Sequence, residues 1–186
     1  MRLKNYDYSQ PGAYFITLVT YQREMLFGRV AEGKMEYSRL GKIVREEWIK
    51  SNRMRREIQL NEDEFIVMPN HIHGIVWITV GADVGADGVR PKDKEGACHA
   101  PQQEPQPESQ PVPHFSRLPR SLSSFVAGFK AAVTSRAGRE LNMTGIWQRN
   151  YYDHIIRSEM EWVDIWNYID TNPERWADDE LHTHAK

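Results

Sequence analysis

The order in which two kinds of hydrophobic pattern follow one another limits this chain more than any single residue does. Residues 13–21 are dense in β-branched and aromatic side chains after Pro11-Gly12, and read as a buried strand. Residues 35–51 carry Leu40, Ile43, Val44 and Trp48 at three- and four-residue steps, which predicts a helix. Short strand-like segments follow at 57–60 and 65–79. Beyond residue 120, Leu122, Phe125, Val126, Phe129 and Val133 form a second helical stripe, with Gly138 as its expected stop. Residues 145–156 read as a last strand region, and Ser158-x-x-Glu161 is a capping-box signature for a final helix. The sequence β-α-β-β-α-β plus one helix predicts a ferredoxin-like α+β fold: an antiparallel sheet, two helices on one face, the other face left free.

Residues 81–119 interrupt this pattern. They hold seven of the ten prolines and few large apolar side chains, so they cannot build a core and are expected to be a loop or insertion. His99 and His114 fall there and are expected to be solvated. The rest predicts one domain over residues 1–186. A single Cys98 excludes an internal disulfide and a cysteine-rich zinc module. No apolar run is long enough to span a bilayer, and the first residues lack a signal-like apolar stretch. A cytoplasmic protein without a membrane partner is the expectation.

Net charge is only −2, but it is unevenly spread. Residues 1–60 carry 12 Lys and Arg against 7 Asp and Glu, and residues 121–157 carry 5 against 2. Residues 158–186 carry 2 against 8. Two basic segments suit a phosphate-binding surface if the acidic tail lies elsewhere.

Inside the strand-like segment 65–79 stands His71-Ile72-His73. Residues two apart in a strand point the same way, so the imidazoles should sit side by side. Ile72 should face the core, with Ile66, Met68, Val76 and Ile78 if the register survives Pro69-Asn70. Neutral imidazoles are good ligands for divalent metals, and burying an unpartnered pair is costly. In the final helix the apolar stripe is Trp162, Ile165, Trp166 and Ile169. Tyr168 lies off its centre, with Asp164 and Asn172 four residues to either side. From the residues alone, Tyr168 is either a surface tyrosine covering apolar area or a phenol offered to a metal site. The second reading suggests phosphoryl transfer: the metal neutralises charge on a phosphodiester and the phenol attacks phosphorus.

Val67-Met-Pro-Asn-His-Ile-His-Gly-Ile-Val76 resembles the His-hydrophobic-His (HUH) segment of single-tyrosine transposases. Tyr6-Asp-Tyr, Pro11-Gly-Ala-Tyr-Phe-Ile-Thr17, Trp147-Gln-Arg-Asn-Tyr-Tyr-Asp-His-Ile-Ile-Arg157 and Asn167-Tyr-Ile-Asp-Thr-Asn-Pro173 resemble the REP-associated tyrosine transposase branch. The resemblance implies a single-stranded DNA endonuclease and strand transferase that uses Mg²⁺ or Mn²⁺. Such enzymes act on hairpin-bearing DNA through a 5′-phosphotyrosine, as monomers or homodimers. It implies that His71 and His73 are metal ligands, that Asn172 is the third, and that Tyr168 is the nucleophile. Tyr151 and Tyr152 are the competing nucleophiles, and His154 and Arg157 are candidate phosphate contacts. The main alternative is a non-catalytic RRM-like module that stacks single-stranded nucleic acid on Tyr14, Phe65 and Trp77. A cupin-like metal enzyme conflicts with the helices, and a two-His phosphoesterase lacks its paired motifs.

Overall fold

Residue 19 ends a strand that organises the rest of the molecule. The computed structural model describes residues 6–79 and 120–182. The segment 81–119, with Cys98, His99 and His114, lies outside the described residues. Strand β1 (Gly12–Val19) runs between β6 (His71–Ile78) and β7 (Tyr152–Ile156), antiparallel to both. The two-residue β4 (Ile58–Gln59) pairs with the far end of β6, giving the order β4-β6-β1-β7. This is the expected antiparallel α+β sheet.

Helices α1 (Arg39–Met54) and α2 (Leu122–Leu141) supply the main core on one face. Leu40, Ile43, Val44 and Trp48 of α1 meet Leu122, Phe125, Phe129 and Val133 of α2 above Tyr14, Ile16, Leu18, Ile72 and Val76 of the sheet. Trp48 is its centre: its ring stacks on Phe65 at 4.2 Å and meets Phe125 and Phe129 edge-on. Gly74 opposite has no room for more, because a Cβ there would come 2.6 Å from the Trp48 ring. Tyr14 and Phe65 are thus core residues, which leaves an RRM-like base-stacking face without two of its three aromatics.

Three expected element boundaries are corrected. Helix α1 starts at Arg39, not near 35, because residues 28–31 and 34–37 form a hairpin of β2 (Gly28–Ala31) and β3 (Lys34–Tyr37). Its two-residue turn, Glu32-Gly33, has positive φ at both positions, as a primed hairpin turn requires. Helix α2 passes Gly138 and ends at Asn142, which takes the left-handed conformation at φ 53. The segment 65–79 is two strands: β5 (Phe65–Val67) turns at Met68-Pro69-Asn70 and pairs antiparallel with β6. Met68 N–H donates to His71 O across that turn. The turn shifts the register, so Ile66 lies opposite His73 and shares its face instead of the main core.

The second face is not free. Helix α3 (Glu159–Thr171) lies over it, joined to Ala13, Phe15, Ile75 and Ile66 through Trp162, Ile165 and Ile169. This apolar footing is small, and a polar clip reinforces it. Glu64, only 2% exposed, accepts Trp162 Nε1–H of α3 at 2.7 Å and Trp77 Nε1–H of β6 at 2.6 Å. Asn61 Nδ2 donates to the same carboxylate. A buried carboxylate is tolerable when its lone pairs are met this way. At the N-terminus of α3, Ser158 accepts Glu161 N–H, and the Glu161 carboxylate accepts Arg157 N–H and bonds His154 Nε2 at 2.6 Å.

Candidate active site

Strand β6 and helix α3 meet at His73 and Tyr168. The strand puts the two imidazoles on one face, 4.4 Å apart between ring centroids, as the spacing predicts. Both are buried, His71 at 0% and His73 at 3% exposure. Tyr168, 39% exposed, brings its hydroxyl 3.2 Å from His73 Nε2.

Hydrogen bonds fix which nitrogen of each ring faces the site. Asn70 donates through Nδ2 to Leu181 O at 2.8 Å and Arg23 O at 3.2 Å, which turns its Oδ1 toward His71 Nδ1 at 2.8 Å. An amide oxygen only accepts, so His71 carries its proton on Nδ1 and a lone pair on Nε2. That Nε2 is buried and has no hydrogen-bond partner among the described residues. His73 Nδ1 lies 2.9 Å from Thr17 Oγ1 on the neighbouring strand. With Nδ1–H donating to Thr17, the Nε2 lone pair accepts the Tyr168 hydroxyl. Orientation of an imidazole by a bond on its far nitrogen is how metal-binding histidines are held.

The third corner has two oxygens. Asp179, in the segment after α3, places a carboxylate oxygen so that it and one nitrogen each of His71 and His73 all lie within 4.8 Å of one another. Asn172 is buried and helical at φ −57 despite the proline that follows, so its spacing from Tyr168 survives. Its Nδ2 donates to Asp179 Oδ2 at 3.3 Å, and its Oδ1 is buried without a partner among the described residues. Two orphaned buried acceptors beside a carboxylate and a second imidazole make a donor set that fits a divalent cation. Asp179 carries no motif, and one carboxylate in Asp178-Asp179-Glu180 cannot be singled out from sequence. The acidic tail does not lie elsewhere: Asn70 Nδ2–H bonds Leu181 O, and Asp178, Asp179 and Glu180 line the same cavity as Tyr168.

Burial holds both imidazoles neutral. It lowers the His71 pKa to about 4 against the opposing pull of Asp179, and lowers His73 well below the usual range with help from the His71 charge. The Tyr168 phenol is pushed up by burial and then by Asp179, with the Asn172 amide acting the other way. A phenol raised in this way is protonated at neutral pH and needs a cation beside it to become a nucleophile.

The His71 shift gives a pH dependence for the metal-free protein. Between its unfolded value near ~6.5 and its folded value of about 4, the unfolded chain binds the extra proton. Stability therefore rises with pH across that window and is lost as pH falls through it. Urea unfolding of metal-free protein at pH 7 and pH 5 should show a lower midpoint at pH 5. His71→Leu should reduce that difference, with His73, lowered in the same direction, keeping the remainder, and an unchanged difference in the variant would remove His71 as a cause.

The other sequence candidates fall on both sides of the sheet. Tyr152, paired with Thr17, lines the site cavity at 48% exposure, whereas Tyr151 packs against the main core. His154 Nε2 and the Arg157 backbone N–H bond Glu161 at the start of α3, and neither residue is among those lining the cavity.

No protein-family model matches the chain. A protein of Haemophilus influenzae, described as uncharacterised, is 35% identical over an alignment of 187 positions that covers 98% of this chain and 91% of that protein. The chain belongs to that protein's family. Among solved structures, a REP-associated tyrosine transposase bound to a REP hairpin aligns at a TM-score of 0.57 with 20% identity, covering 95% of this chain and 74% of that one. The chain therefore has the REP-associated tyrosine transposase fold. In this transposase fold the sheet carries His71 and His73, and α3 carries Tyr168 across it. No described helix is long and apolar enough to cross a membrane.

Proposed function

We propose that the protein is a metal-dependent single-stranded DNA endonuclease and strand transferase that acts on hairpin-bearing DNA. The observation that carries this reading is the Tyr168 hydroxyl, 3.2 Å from His73 Nε2 at the edge of the His71, His73 and Asp179 cluster. The REP hairpin bound by the structural relative supports the choice of DNA.

His71 and His73 would hold Mg²⁺ or Mn²⁺ through Nε2, with Asp179 or Asn172 supplying oxygen. Such an ion lowers the pKa of a neighbouring phenol and neutralises charge on a phosphodiester oxygen. Thr17 and Asn70 keep both lone pairs aimed into the site. Tyr168 gives its proton to solvent and its oxygen bonds to phosphorus. The bond from phosphorus to the 3′-oxygen breaks, and that oxygen takes a proton from solvent. The 5′-phosphate stays on Tyr168, and a 3′-hydroxyl from another strand reverses the step. One phosphodiester is exchanged for another, so rejoining needs no nucleotide cofactor.

The test is to incubate the protein with Mn²⁺ and end-labelled DNA carrying a hairpin and single-stranded flanks, then separate products on a denaturing gel. A labelled protein–DNA adduct that requires the ion and vanishes with a chelator is the expected result. Hairpin binding with neither cleavage nor adduct at any divalent ion would favour a non-catalytic binding module.

A further inference from the structure

The cavity beside Tyr168 has a volume of about 710 Å³ and extends along residues outside the His71, His73 and Asp179 cluster, among them Phe15, Tyr152 and Arg175. Tyr152 stands on one wall. On β7 it lies opposite Thr17, the partner of His73, so it projects from the catalytic side of the sheet. Its only ring neighbour among the described residues is Phe15, edge-on at 6.4 Å and 70°. A tyrosine left 48% exposed on a strand, at the mouth of a cavity, is an aromatic surface without a covering group. Arg175 follows α3 and lines the same cavity; it is exposed, and its guanidinium makes no ion pair or hydrogen bond among the described residues. Among the described residues it is the one fixed cation lining the cavity.

We propose that Tyr152 and Arg175 form a subsite for an unpaired nucleotide next to the scissile phosphate. The Tyr152 ring stacks on the base, and the Arg175 guanidinium meets the backbone phosphate. This rests on the function proposed above and specifies what that site must receive: a flanking base that is out of any duplex. Charge decides the division of work. Asp178, Asp179 and Glu180 line the same cavity, so one arginine does not make it attractive to a polyanion. Selection there depends on stacking, which is uncharged and tolerant of sequence. The role also separates Tyr152 from Tyr168, since stacking uses the ring and nucleophilic attack uses the hydroxyl.

The experiment measures DNA binding by fluorescence anisotropy in the Tyr168→Phe protein with Mn²⁺, so that no cleavage intervenes. The probe is a labelled hairpin with single-stranded flanks, and each flanking nucleotide is replaced in turn by an abasic one. Adding Tyr152→Phe should leave affinity unchanged, and adding Tyr152→Ala should weaken it about tenfold or more. One abasic position should weaken the Tyr168→Phe protein by a similar factor and have no further effect once Tyr152 is alanine. Adding Arg175→Gln should reduce the salt slope of binding by about one. Tight binding that ignores Tyr152→Ala, or an abasic effect that persists in it, would overturn the subsite and leave the enzyme reading standing. Failure of the Tyr168→Phe protein to bind any hairpin DNA would overturn both.

Discussion

Tyr168→Phe is expected to yield a folded protein that forms no covalent adduct with DNA. The substitution removes one oxygen from a side chain 39% exposed to solvent. Its ring contacts with His73 at 5.1 Å and Phe15 at 6.2 Å remain, so helix α3 keeps its seat. What disappears is the only hydroxyl that bonds His73 Nε2 among the described residues. Covalent chemistry has no partial substitute for its nucleophile, so adduct formation should fall below detection, with the thermal midpoint little changed. The phenol also donates to a lone pair that a cation would claim, so the variant should bind Mn²⁺ at least as tightly as the parent. Tyr152→Phe is the control. An adduct that persists in Tyr168→Phe and vanishes in Tyr152→Phe would transfer the role to the strand tyrosine.

The largest stability effect is expected from Trp48→Ala, a loss of about 3–5 kcal/mol. Trp48 is 1% exposed and contacts the rings of Phe65, Phe125 and Phe129, which come from the sheet and from α2. Its removal leaves a void where three elements meet, and Gly74 below it contributes no side chain to refill the space. Urea unfolding should show the midpoint falling with little change in slope. Trp48→Phe should cost less, partly because the Trp48 Nε1–H is buried without a partner among the described residues. A Trp48→Ala protein within 1 kcal/mol of the parent would mean this junction is not the centre of the core.

Much of this architecture can be read from side-chain period alone. The stripes of α1 and α2, the alternation around His71 and His73, and the Ser158 cap each give an element its type and facing. The hairpin of β2 and β3 is hidden because Glu32-Gly33 lacks the Asn or Asp that marks such turns, while Leu40 to Trp48 extends a helical stripe backward by eye. The break at Pro69-Asn70 is audible in composition, but its effect on Ile66 depends on a pairing that only the folded sheet displays. Within the site, the imidazole pair and the phenol carry local spacing. Thr17, Glu64 and Asp179 do not, because each reaches its partner across long stretches of chain and belongs to no short pattern.

The carboxylate of Glu64 answers two indoles at once, one from the sheet and one from the helix that carries Tyr168. Positions 64, 77 and 162 are therefore bound into a single inheritance. A relative that lost the acid would leave two N–H groups begging in a half-buried seam, and one that lost an indole would take a donor from a buried carboxylate. Descendants of this chain should keep all three letters or exchange them together, even where the surrounding surface drifts.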